Sequence, residues 1–271
     1  MGAVHRGRDT LLDRDVAIKM MRESSRIDAE FKQRFHREAR VCAQLQHPNI
    51  VAVYDMGEHE ESSYIVMELL DGFDWRRIIR DKRRIPAPQK IEFIVQVCDG
   101  LAFAHRHSIF HRDLKPSNLF IHQDRQVKIL DFGLARMPAS SLTVTGRVLG
   151  TPNYMAPEQI LGEKCDAQSD LFSAAIVFFE FLTGVHPFEA PFIPRRIAYG
   201  EPERLSNADP SLPGAFGEIF ERAFANSPAS RYRDAEEIAS ALRAVAKVDM
   251  QVSDSVKAPL PPFSSEQAKQ A

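Results

Sequence analysis

"HRDLKPSNLFIHQDRQVKILDFG", residues 111–133, decides how the rest of the chain is read. It packs Asp113, Lys115 and Asn118 into one short polar stretch. A brief strand, "QVKIL", follows, and then the turn-like Asp131-Phe132-Gly133. Taken singly, each piece has an ordinary structural reading. Asp113 can cap a turn, Asn118 can satisfy backbone groups, and the last three residues can be a simple reversal after a strand. Their meaning depends on what surrounds them.

The surroundings are those of a soluble globular chain. At 271 residues with a net charge of −2, the length fits one large domain or two lobes, and the charge gives no general case for nucleic acid or membrane binding. Cys42, Cys98 and Cys165 are far apart and read as free, mostly buried thiols of a reducing compartment. No secretory signal is visible, which points to the cytoplasm. Leu171–Val185 is the most apolar run, but it is short and Glu180 interrupts it, so it reads as a buried helix.

Working outward, "DVAIKMM" and "SSYIVMELL" are strand-like. Between them Phe31, Phe35, Ala39 and Cys42 recur at helical spacing, with Asp28 as N-cap and a stop near Pro48. Beyond Gly72 the chain turns helical, notably in "QKIEFIVQVCDGLAFAHRH" and "DAEEIASALRAVAKV". This divides the chain into a small β-rich lobe over residues 1–70 and a larger helical lobe over 71–246, with a cleft between them suited to a ligand. Residues 247–271 carry no apolar period and read as a disordered tail. His105 and His107 do not share a helix face and are read as structural.

"APE" at Ala156–Glu158 and "VAIK" ending at Lys19 complete a set with "HRDLKPSN" and "DFG". In this order and spacing, over roughly residues 1–245, the chain resembles eukaryotic-type (Hanks-type) serine/threonine protein kinases, bacterial members above all. The resemblance implies an α+β, bilobal kinase fold using ATP with Mg2+ or Mn2+. It makes Asp113 the carboxylate that orients the acceptor hydroxyl and takes its proton, with Lys115 near the transferred phosphate. Asn118 and Asp131 become metal ligands. Lys19 reaches the α- and β-phosphates, and Glu38 holds Lys19 in place, although alone the two would read as a surface ion pair. His111 packs beneath Phe132 and Gly133 completes the turn.

The same resemblance assigns further residues. Met67 falls at the gatekeeper position, Glu68 and Leu70 offer main-chain groups to adenine, and Val4, Ala17 and Phe120 sandwich the ring. "DLKPSN" and Thr151 in "GTPNYMAPEQ" match the serine/threonine branch. Arg112 would bind a phosphate on Thr143 or Thr145 of the segment Asp131–Glu158. Asp170 would anchor the catalytic-loop backbone, and Arg231 would pair with Glu158. Protein acceptors follow as partners, with self-association for trans-autophosphorylation. Two departures, a buried helix "FSAAIVFFE" without the usual glycine and His5 in place of an aromatic, leave the chemistry alone.

A third departure lies at the start. Gly2 to Val4 resembles the back half of a glycine-rich phosphate loop whose front half and first strand are missing. Such relatives often carry a methionine before the last loop glycine, so Met1 reads as an internal residue of a longer chain. A loop lacking its first glycines would bind ATP weakly. That supports a second reading, a pseudokinase scaffold with little or no turnover. A third, a small-molecule phosphotransferase, fits less well because such enzymes generally lack the segment ending in "APE".

Overall fold

The computed structural model describes residues 3–20, 39–40, 42–59, 62–132 and 152–249. Of the residues singled out above, Met1, Gly2, Asp28, Phe31, Phe35, Glu38, Gly133, Thr143, Thr145 and Thr151 lie outside these, as does the tail from Met250.

The small lobe is an antiparallel sheet. Strand β1 (Ala3–Asp9) pairs with β2 (Arg14–Met20), β2 with β4 (Ser62–Glu68), and β4 with β3 (Val53–His59). "DVAIKMM" and "SSYIVMELL" both form strands because β-branched and aromatic residues suit a half-buried pleated surface. Val4 lies opposite Lys19, and Ala17 opposite Met67. Opposed residues share a face, and so do alternate residues of one strand. Val4, Ala17, Lys19 and Met67 therefore line one face of this sheet.

Residues 69–71 lead down to a second sheet, β5 (Gly72–Asp74), β6 (Leu119–His122) and β7 (Val127–Ile129). Gly72 has φ +156°, and a Cβ there would lie 2.0 Å from the Ile121 carbonyl oxygen. Only glycine accepts both that torsion and that approach. Gly72→Ala is therefore expected to cost about 2 kcal/mol or more. Gly214→Ala, where nothing lies within 4 Å of an added Cβ, is expected to be near neutral. Urea unfolding of both variants is the check, and equal midpoints would remove the steric argument.

The helical lobe starts with α1 (Trp75–Arg80) and α2 (Ala87–Arg106). Short α3 (Pro157–Ile160) precedes α4 (Ala167–Thr183). Then come α5 (Ile193–Tyr199), α6 (Leu205–Ala208), α7 (Gly214–Ala223) and α8 (Ala235–Asp249). The apolar run predicted as a buried helix is α4: Leu171, Phe172, Ile176, Phe178, Phe179 and Phe181 are all buried. The Asp166 side chain caps its start and Gly184, at φ +77°, ends it. Helix α8 runs to Asp249, so residues 247–249 belong to the helix rather than to the expected tail. Lys247 and Val248 are both exposed there, so no buried apolar position marks the last turn and the apolar period fades before the helix does.

The lobes meet at β7. Val51 N–H donates to the Ile129 carbonyl (3.0 Å), and Ile129 N–H to the Asn49 carbonyl (2.9 Å). The Asn49 side chain adds bonds to Gln96 and to the Val127 carbonyl, both 3.0 Å. The small lobe is thus fixed to the strand that delivers Leu130 and Asp131.

Candidate active site

The loop quoted first wraps a single buried carboxylate. Asp170, on the first turn of α4 and 1 % exposed, accepts from the main-chain N–H groups of His111 and Arg112, both at 2.7 Å. His105 Nε2 lies 2.9 Å from the same carboxylate. These bonds hold Arg112 at φ +65°, a conformation that costs a non-glycine residue about 1–3 kcal/mol. The strain reverses the chain just before Asp113.

His111 joins this loop to the metal-site candidate. Asp113 N–H donates to His111 Nδ1 (3.3 Å), which leaves the ring proton on Nε2 to donate to the Leu130 carbonyl (2.9 Å). The His111 ring packs against Phe132 with centroids 4.9 Å apart. Leu130 N–H donates to the Asn118 carbonyl (2.8 Å). Both main-chain groups of Leu130 are therefore tied to the loop, and the next residue, Asp131, sits beside Asn118. Asp131 has φ +59°, a second strained position in the same cleft.

The side chains converge accordingly. Lys115 Nζ lies 2.5 Å from Asp113 Oδ2. Asn118, 6 % exposed, donates through Nδ2 to the Asp113 carbonyl (2.9 Å), so its Oδ1 is the atom left to act as a donor to a cation. From the other lobe, Lys19 Nζ reaches Asp131 Oδ1 at 2.6 Å. The family resemblance implies Glu38 as the partner of Lys19, and Glu38 lies outside the described residues. The partner found among the described residues is Asp131, 112 positions away. Lys19, Cys42, Ile65, Met67, Asp131 and Phe132 line one pocket.

Of the expected adenine residues, Met67 lines this pocket, and Val4, Ala17, Glu68, Leu70 and Phe120 are not among its lining residues. Val4, Ala17 and Met67 share the sheet face with Lys19. Phe120, on β6, is half-buried opposite Lys128 and Asp74. Leu70 lies half-buried in the link between lobes. Glu68 does more than the sequence suggests. Its carboxylate accepts from Lys128 Nζ (2.9 Å) and from Ala52 N–H (3.3 Å). Lys128, 7 % exposed in a strand, is the available signal, because a buried lysine needs an anion. Cys42 Sγ donates to the Phe132 carbonyl at 3.0 Å, another contact that no spacing foretells.

Below the cleft, Glu158 and Arg231 form the expected pair through two bonds, at 2.8 and 3.0 Å. Gln159 Nε2 donates to the Arg112 carbonyl (3.0 Å), so α3 is tied directly to the catalytic loop. The Arg112 guanidinium lies over the Phe110 ring, 5.8 Å from its centroid. The three cysteines form no disulfide. Among the described residues, no helix is long and apolar enough to cross a membrane.

Comparison with known proteins gives the same result. The family model for the protein kinase domain matches residues 1–205. The chain is 41 % identical over 251 residues to serine/threonine-protein kinase PknB of Mycobacterium leprae, covering 88 % of this chain. It is also 41 % identical over 252 residues to the PknB of Mycolicibacterium smegmatis. The chain spans 40 % of the length of each of these relatives. Among solved structures, the kinase domain of Mycobacterium tuberculosis PknI superposes with a TM-score of 0.74 at 28 % identity, covering 91 % of this chain and 92 % of that one.

Proposed function

The chain belongs to the protein kinase domain family, and from that premise we propose that it transfers the γ-phosphate of ATP to serine and threonine hydroxyls of proteins. The observation that carries this reading is the convergence of Asp113, Lys115, Asn118 and Asp131 with Lys19 of the opposite lobe. The carboxylate of Asp131 and the amide oxygen of Asn118 form a hard-oxygen donor pair that fits Mg2+ or Mn2+. When bound, the metal neutralises phosphate charge.

The chain's own residues do the rest. Asp113 orients the acceptor hydroxyl and takes its proton as the new O–P bond forms and the bridging bond to ADP breaks. Lys115, already at Asp113, is within reach of the phosphate that meets the hydroxyl there. Lys19 holds the α- and β-phosphates. Gly2, Val4, Ala17, Met67, Glu68, Leu70 and Phe120 bind the nucleotide, and Glu38 braces Lys19. Arg112 receives a phosphate on Thr143 or Thr145, installed in trans by a second copy. The proposed setting is the cytoplasm.

Labelling of myelin basic protein from γ-labelled ATP, with mass spectrometry of Thr143 and Thr145, tests this reading. Wild type is expected to label the acceptor only with Mg2+ or Mn2+ and to carry phosphate at these threonines. No label with either metal would overturn the kinase reading. Phosphate at these threonines in Asp131→Ala, made in a host without related kinases, would overturn the autophosphorylation.

A further inference from the structure

Helix α4 and the main chain that enters α3 are bridged by a histidine that the catalytic scheme does not use. Gly184 ends α4, and the chain turns through Val185 and His186 to Phe188. Phe188 is 1 % exposed and packs among aromatic rings, with its centroid 5.4 Å from Phe224 and 5.9 Å from Phe172. This turn is therefore fixed to the core. Phe188 N–H donates to His186 Nδ1 at 3.1 Å, so Nδ1 carries no proton. The ring proton lies on Nε2, which donates to the Asn153 carbonyl at 2.9 Å. Burial depresses the His186 imidazole to about 4, so it is neutral at pH 7, as both bonds require.

A second bond ties the same segment to α4. Tyr154 OH donates to Glu180 Oε2 at 2.8 Å, and the Tyr154 ring meets the His186 ring edge-on at 5.4 Å. Pro152–Tyr154 forms a 3₁₀ turn and leads into Ala156, whose N–H donates to the Gln159 side chain (2.8 Å). Gln159 in turn donates to the Arg112 carbonyl, next to Asp113. The Asn153 carbonyl is thus joined to the catalytic loop by the main chain to Ala156 and then by the Gln159 side chain, which reaches the carbonyl of Arg112, the residue before Asp113.

We propose that His186 is a positioning residue that latches the main chain at Asn153 to the core, and so fixes the wall against which a protein acceptor binds. The inference rests on the kinase reading for its effect on the acceptor. It does not rest on that reading for its structural content.

Isosteres separate the two bonds of the ring. Gln places an N–H donor near the position of Nε2, whereas Asn places an acceptor near that of Nδ1 and has no donor in reach of Asn153. His186→Asn and His186→Phe are expected to raise KM for myelin basic protein about tenfold, the equivalent of one hydrogen bond. KM for ATP should stay within about twofold of wild type, and His186→Gln should restore the acceptor KM. In parallel, amide hydrogen exchange over residues 152–160 should quicken in the Asn and Phe variants and return towards wild type in the Gln variant. An Asn variant that matches wild type in exchange would overturn the latch, as would a Gln variant no better than Phe. If wild type labels no acceptor, the kinase reading fails, and the exchange measurements still decide the latch.

Discussion

Asp131→Ala is expected to lower phosphoryl transfer by about 10³-fold or more, the loss that follows when several kcal/mol of charge stabilisation at the phosphate is removed. Asp113→Asn is expected to lower kcat by about 10²–10⁴-fold, the usual contribution of a positioned general base. The two losses should differ in kind. Asp131 faces Lys19 across the cleft at 2.6 Å, so its removal takes away the metal carboxylate and leaves the Lys19 ammonium without that counter-charge. Nucleotide affinity in Asp131→Ala should then lose its dependence on Mg2+. Asp113 is bonded to Lys115 and lies on the acceptor side, so Asp113→Asn should bind ATP with wild-type affinity and wild-type metal dependence. Titration of a fluorescent ATP analogue with and without Mg2+, alongside kcat for myelin basic protein, reads both. Near-native turnover in either variant would refute the role given to that residue. A metal-dependent affinity retained in Asp131→Ala would move the metal carboxylate elsewhere.

The parts of this site that lie close together along the chain are legible from the amino-acid order alone. "HRDLKPSN" and "DFG" flank the antiparallel hairpin β6–β7, of which the sequence shows only the second strand, and a tight hairpin returns the chain so that Asp113, Asn118 and Asp131 have few ways to separate. The buried helix α4 is legible because a run of Phe, Ile and Leu has no other place to go. What spacing does not carry is the choice among distant partners. Spacing names no partner for His105, yet it contacts Asp170, 65 positions on. Lys128 and Glu68 are 60 apart and meet at the link between lobes. His186 and Asn153 are 33 apart and meet only because Gly184 reverses the chain and Phe188 is pulled into the core. These contacts depend on the packing of side chains around the loops. Hydrophobic periodicity fixes which face of an element is buried and not which polar atom lies opposite.

The pair Glu158–Arg231 is legible only through the family resemblance, and its energetics give the second large effect. Arg231 is 3 % and Glu158 5 % exposed. The guanidinium donates to both Glu158 oxygens and to the carbonyls of Ala225, Gln168 and Asn226. All of its donor hydrogens are thereby used. Ser169 Oγ adds a bond to Glu158 Oε1 at 2.8 Å. Burial pushes the Glu158 carboxyl up, and the Arg231 and main-chain bonds more than offset it, so the group sits below its ordinary value of 4.5. Arg231→Met leaves a buried carboxylate with only Ser169 and nearby amides, and is expected to cost about 3–5 kcal/mol. Glu158→Gln strands the guanidinium and should cost a similar amount. The double variant should cost clearly less than the sum, because no buried charge is left unpaired, with a coupling of roughly 2 kcal/mol or more. Urea unfolding of the four proteins measures this, and additive losses would mean that the pair is not an energetic unit. The depressed Glu158 value also fixes the pH response. The pair's stabilisation is fully present above pH 4.5 and is lost as pH falls through the lower folded-state value, and wild type alone should show that loss. Because Gln159 carries the next bond to Arg112, the single variants should also lose turnover before they unfold, as α3 loosens from the catalytic loop.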